Sequence, residues 1–177
     1  MKRKGKWLAA FMLLVMSMMG CQQQPEPVAI DENKDKCEIC HMAVGNNPFA
    51  TELVLNHGQV LKFDDIGCMY EWRKEHKNET VEAAFVRDYE TGDWLEAEKA
   101  TYVYDRAIRT PMAYNVISFK HKESAKKFVD QHGGTVFTYD ELSRHSWERN
   151  QEMMMEMKQK HMKMDQQQGQ HDDHMGN

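Results

Sequence analysis

Val60-Leu61-Lys62-Phe63-Asp64-Asp65-Ile66-Gly67-Cys68-Met69-Tyr70-Glu71-Trp72 is the stretch whose reading decides the fold. A short apolar strand runs into an acidic doublet, and residues with helical spacing follow it. The pattern returns 56 positions later as Val116-Ile117-Ser118-Phe119 and a helical run through Ala125, Phe128 and Val129, with His132 opposite His76. Each helix hands over to another strand, Val81 to Arg87 in the first half and Thr135 to Thr138 in the second. Gly133-Gly134 provides a helix stop before the last strand. Partner strands are predicted upstream at Phe49 to Asn56 and Thr101 to Arg106, and His57-Gly58 turns the first pair into a hairpin. The expected class is α+β, with duplicated ββαβ units packed together, the first over 37–98 and the second over 99–147.

Outward from this body, the N-terminal end predicts a compartment. Lys2, Arg3, Lys4 and Lys6 precede an apolar run from Trp7 to Met19, the pattern of a secretory signal. At about 13 residues the run is short of the roughly 20 that a spanning helix needs. Met18-Met19-Gly20-Cys21 resembles a bacterial lipobox, although Leu is usual where Met18 stands. The expectation is a signal over 1–20, lipidation of Cys21, and a Pro-containing tether over 21–36 that holds the body off the membrane on the extracytoplasmic face. Loss of 1–20 takes four of the 23 basic residues and none of the 28 acidic ones, which leaves 19 against 28, a net charge of −9. So acidic a chain is not a general nucleic-acid binder.

The other end, 148–177, is rich in Met and His. Helix-favouring residues predict helix from Tyr139 to Lys163, with disorder beyond Asp165. Met153, Met154, Met155, Met157, Met162, Met164, Met175, His161, His171 and His174 lie in this part of the chain. Thioethers suit Cu(I) and imidazoles suit Cu(II), so Met153, Met154, Met157, His161, Met162, Met164, His171 and His174 are expected as auxiliary copper donors. An apolar docking stripe, or a solvated tail, accounts for the same composition.

The cysteines carry the chemistry. With Cys21 lipidated, Cys37, Cys40 and Cys68 remain, an odd number in an oxidising compartment, so at least one thiol is free or metal-bound. Cys37-Glu38-Ile39-Cys40-His41-Met42 places four donors within six residues, three of them soft sulfurs that prefer Cu(I). A thioredoxin-like motif would open a helix after a strand, whereas this one leaves a polar tether. A structural zinc site would want a second pair at finger or ribbon spacing, which Cys68 and His57 do not supply. Cys37-Glu38-Ile39-Cys40-His41 also matches CxxCH, the spacing of haem attachment. Asp64 and Asp65 are expected to cap the following helix. Met69, beside Trp72, is expected in the core, and His57 in a turn.

In order along the chain, the lipobox, Cys-x-x-Cys-x-Met at 37–42, Phe63-Asp64-Asp65-Ile66-Gly67, Met69 with Trp72, Thr110-Pro111-Met112, and Gly133-Gly134 leading to Tyr139-Asp140-Glu141-Leu142 resemble the NosL family of copper-binding lipoproteins. The resemblance spans about 37–142. It implies a pair of related ββαβ units, no haem, and a Cu(I) chaperone rather than an enzyme. Such a chaperone would serve apo-nitrous oxide reductase at an ABC-type membrane maturation complex. The ligands expected are Cys40, Met42 and Met112, then Cys37 and His41. The family often has Gly where His41 and Ala113 stand, and Cys68 is not a position it is expected to require. A different class, an extracytoplasmic thiol-redox or organomercurial-lyase-like enzyme using Cys37, Cys40 and Cys68, is the alternative.

Overall fold

The computed structural model describes residues 24–172. Among the described residues seven strands form two antiparallel sheets: β1 Thr51–Leu55, β2 Val60–Phe63, β3 Val81–Arg87 and β4 Trp94–Glu96 in the order β2-β1-β3-β4, and β5 Thr101–Tyr104, β6 Val116–Phe119 and β7 Thr135–Phe137 in the order β6-β5-β7. The helices are α1 Ile66–Glu75, α2 Lys122–His132, α3 Tyr139–Leu142 and α4 Gln151–Asp172. Among the described residues no helix is long and apolar enough to cross a membrane.

The two units share a path. In each, a hairpin is followed by a helix and then by a strand that returns to the far side of the hairpin's first strand. The likeness reaches side chains 56 positions apart. Trp72 stacks on His76 at 4.4 Å, and Phe128 lies against His132 at 4.7 Å. In both cases an aromatic ring meets an imidazole one turn further on, in the last turn or at the end of its helix. Strand β4, which the sequence pattern did not predict, widens the first sheet. The sheets join where Asp88, just past β3, bridges to Ser118 of β6, and the Ser118 hydroxyl donates to the Arg87 carbonyl at 2.6 Å.

Strand β1 is buried at every residue. Leu53 and Leu55 belong to the main core with Phe63, Ile66, Met69 and Trp72. Glu52 points to the other face, where the preceding segment covers it. The Val28 amide donates to its Oε2 at 2.8 Å, and Lys62 Nζ reaches the Ala29 carbonyl at 2.8 Å and Asp35 Oδ2 at 2.6 Å. The stretch read as free tether is therefore docked from Val28 to Asp35, because the buried carboxylate of Glu52 and the cation of Lys62 both need partners there. Sheet β6-β5-β7 alternates in the usual way. Tyr102 faces the main core, while Val103 and Ile117 pack with Phe119 and Ala125 under α2.

Helix α1 approaches the second unit at Gly67, where a Cβ would stand 1.9 Å from Tyr114 Cγ, so only glycine admits the ring. At the C-terminal end, the helix predicted from Tyr139 to Lys163 is instead two. A single turn, α3, is closed by a capping box between Thr138 and Glu141. The chain is non-helical from 143 to 150, and α4 then runs to Asp172, past the point where disorder was expected. Trp147 accounts for the break: it leaves the helical path to stack on Tyr70 at 4.4 Å.

Candidate metal centre

Asp65 begins the site. Its backbone is extended, and its Oδ1 accepts the Gly67 amide at 2.9 Å, so it is the N-cap of α1. Its Oδ2 accepts the Met112 amide at 2.9 Å, which ties the Thr110-Pro111-Met112 loop of the second unit to this helix end. Asp64, expected to share the capping, does not. One residue further out, it turns towards the cysteines. Capping from Asp65 places Cys68 at the third helical position, inside the first turn and near the positive end of the helix dipole.

The Cys37–Met42 loop is brought over that turn by main-chain bonds. The Cys37 amide donates to the Met42 carbonyl and the His41 amide to the Cys37 carbonyl, both at 2.9 Å, and the Glu38 amide donates to the Lys62 carbonyl of β2 at 3.2 Å. Lys36 and Ala43 close the base as an antiparallel bridge. The outcome is a cluster in which the Sγ atoms of Cys37, Cys40 and Cys68 and a carboxylate oxygen of Asp64 all lie within 4.8 Å of one another. All three thiols are free, and Cys37 and Cys68 are buried while Cys40 is half-buried.

Packing three thiols and a carboxyl together redistributes their protons. The Cys37 thiol is held well below its usual range, because Cys40 and then Cys68 donate to its sulfur. Donating to Cys37 pushes Cys40 up to about 12, and Cys68 is pushed up by the same neighbours, Cys37 first. Burial, followed by the charge at Cys37, raises Asp64 to about 7. A metal bound here would displace the protons that the cluster shares.

The donor set suits a soft ion. Three sulfurs bound at about 2.3 Å to one centre lie roughly 4 Å apart, so the cluster needs only a small contraction to close on a metal. Sulfur-rich coordination selects Cu(I), and a Cys₃-carboxylate tetrahedron also accommodates zinc. The second unit has no such set: Lys120, His121 and Ser124 stand 56 positions after Asp64, Asp65 and Cys68.

Of the residues predicted from sequence, Cys37 and Cys40 meet in this cluster. Cys68 joins them. His41 is exposed, outside the cluster, with φ of 62°. Met42 is 46% exposed. Met112 is half-buried, with its carbonyl 3.0 Å and its Sδ 3.8 Å from nitrogens of Arg149. Met69 is fully buried in the core and His57 sits exposed in the β1–β2 turn. On α4, Met153 is buried, Met154 and Met157 are half-buried, and Met162 is exposed. Cys21, His174, and the side chains of His161, Met164 and His171 lie outside the described residues. Cys68 stood outside the expected copper ligands, and the further member that sequence reasoning missed is Asp64. The available signal was its place beside a second acidic residue that alone suffices as cap.

The NosL family model matches residues 27–147. The crystal structure of the copper chaperone NosL from Shewanella denitrificans superposes with a TM-score of 0.60 at 22% identity, covering 67% of this chain and 96% of that one. No curated protein matches the chain.

Proposed function

The chain belongs to the NosL family, and from that premise we propose that it is a carrier of copper, held as Cu(I) by Cys37, Cys40 and Cys68 with Asp64 alongside. The observation that carries this reading is the convergence of three thiols and one carboxylate within 4.8 Å at the capped end of a helix. That the Shewanella denitrificans relative is a copper chaperone supports it. Copper is cargo here, so what matters is tight binding with easy exchange. Cys40 at the half-buried edge of the cluster, with Met42 exposed two residues on, provides a sulfur path by which a partner's donors replace the protein's one at a time.

In this reading the chain is anchored by lipid on Cys21 at the extracytoplasmic face, on the outer membrane or the outer face of the plasma membrane. It delivers copper to apo-nitrous oxide reductase, with the ABC-type maturation complex as docking site. Met42 and Met112 act at the rim of the centre, and the methionines and histidines of the tail gather copper for it. The test is the copper content of the reductase purified from cells lacking the chain and from cells carrying wild type or Cys40→Ser. Copper should be lost in the deletion and restored by wild type alone. A fully loaded reductase in the deletion strain would refute delivery. Fractionation of Cys21→Ser, which should leave the membrane, tests the anchor.

A further inference from the structure

Of the three thiols in the cluster, only one can be reached from outside. Cys37 and Cys68 are fully buried, whereas Cys40 is half-buried and is followed by exposed His41 and Met42. Cys37 and Cys40 also share one turn, which spans 38–40 and is closed by the His41 amide donating to the Cys37 carbonyl at 2.9 Å. The first and fourth residues of a turn keep their Cα atoms within about 7 Å, and about 7 Å is the outer limit for a disulfide. Their Sγ atoms already lie within 4.8 Å of each other. Cys68 comes from a different segment and is fixed in the first turn of α1, behind the Asp65 cap.

We propose that Cys37 and Cys40 are an exchange-active pair, entered through Cys40, whose disulfide shuts the centre to copper until a dithiol protein reopens it. In an oxidising compartment the oxidant is the disulfide of an extracytoplasmic thiol–disulfide exchange protein. Cys40, as thiolate, attacks one sulfur of that disulfide; the partner's S–S bond breaks and its second sulfur leaves as a thiolate. Cys37 then attacks Cys40 Sγ in the mixed disulfide, the Cys37–Cys40 bond forms, and the partner's other sulfur leaves. Two electrons and two protons have passed from the chain to the partner, which departs as a dithiol. Reopening is the reverse: a dithiol partner attacks Cys40 Sγ, and Cys37 is the leaving sulfur. Closure within the shared turn moves the least backbone, so Cys68 stays a thiol throughout. The closed form keeps only Cys68 and Asp64 of the four donors, too few for a sulfur-rich centre. Dithiol–disulfide exchange is therefore the class of reaction that must precede loading. The inference rests on the copper-carrying reading for the compartment and for the ion that the gate excludes.

The test holds the metal-free full chain, anaerobically, in mixtures of reduced and oxidised glutathione, quenches with acid, and maps thiols and disulfides by mass spectrometry in wild type and Cys40→Ser. In wild type, glutathione should appear first on Cys40, and the end product should be the Cys37–Cys40 disulfide with Cys68 still reduced. In Cys40→Ser, Cys37 and Cys68 should take up no glutathione. Oxidised wild type should bind Cu(I) about 100-fold or more weakly than reduced wild type in competition with a chromophoric chelator. Treatment with a dithiol, removed before the titration, should restore the affinity. No disulfide, a disulfide that includes Cys68, glutathione uptake by Cys40→Ser at the wild-type rate, or a Cys37–Cys40 disulfide that leaves Cu(I) affinity unchanged would each overturn the inference. Thiol mapping uses no metal and so stands apart from the copper reading. A reduced chain that binds no Cu(I) would refute that reading, and the gate on loading with it, whatever the disulfide map shows.

Discussion

Cys40 Sγ lies 3.3 Å from both carboxylate oxygens of Asp64. This contact, between the loop at the start of the body and the entry to α1, is a hydrogen bond from the Cys40 thiol to the carboxylate. Asp64 ordinarily titrates at 3.8 and is raised to about 7 here, by burial first and by the Cys37 charge second. The neutral form is thus favoured in the folded state. As pH rises from about 4 to about 7 the unfolded chain gives up the Asp64 proton that the folded chain keeps, so the contribution of Asp64 to stability falls across that window, by at most about 4 kcal/mol. The lowered Cys37 thiol acts in the opposite sense over the same window, since there the unfolded chain holds a proton that the folded chain has lost, so the test is the difference between variants: in thermal melts Asp64→Asn should gain on wild type as pH rises from about 4 to about 7. An Asp64→Asn midpoint that tracks wild type over this range would contradict the assignment.

Gly67 should tolerate no side chain. Its missing Cβ would lie 1.9 Å from Tyr114 Cγ and 2.2 Å from Cδ2, where a ring closed in by Trp147 and Arg149 has little room to retreat. Gly67→Ala should cost on the order of 3 kcal/mol in urea unfolding. Gly58→Ala, with φ of 85° but nothing within 4 Å, should cost about 1 kcal/mol. Equal losses would show that the units do not meet as described.

His41 should be dispensable as a ligand and costly as a conformer. It is exposed, and its φ of 62° lies in the left-handed region that disfavours a side chain by roughly 1 kcal/mol. His41→Gly should raise the melting midpoint and leave Cu(I) affinity within about twofold. A large loss of affinity would return His41 to the ligand set. Ala113 has φ of 59° as well, so both places where the family pattern favours glycine are left-handed in this backbone, as Asn115 is too, with φ of 63°.

Lys62→Met should release the segment from Val28 to Asp35. It removes the partner of Asp35 and the nearest cation to fully buried Glu52, 4.0 Å away. A buried carboxylate left without its counter-charge costs roughly 3 kcal/mol. Limited proteolysis should then cut N-terminal to Cys37 faster than in wild type; an unchanged cleavage rate would mean that the segment is held by other contacts.

Much of this architecture was legible before the structure. Strands β1, β2, β3, β5, β6 and β7, helices α1 and α2 and the repeat of 56 follow from local periodicity and from turn residues such as Gly58, Gly133 and Gly134. The convergence of Cys68 on Cys37 and Cys40 was read only for the alternative enzyme and not for the copper ligand set. It depends on the Glu38–Lys62 main-chain bond, a register between distant segments that composition does not encode. The roles of Asp64 and Asp65 are likewise separated only by backbone conformation at the helix entry. Docking of the Val28–Asp35 segment escaped notice because Glu52, one charge within an apolar strand, reads as solvent-facing until its partners are seen.

The most direct test of the thiol centre is an anaerobic Cu(I) titration against a chromophoric chelator, with wild type beside Cys68→Ser and Cys40→Ser. Cys68 is the decisive residue, since only the folded chain brings it to the other two. The account predicts that both variants lose affinity by about 100-fold or more, equivalent to about 3 kcal/mol. Wild-type affinity in Cys68→Ser, with loss in Cys40→Ser alone, would contradict a centre built from all three thiols.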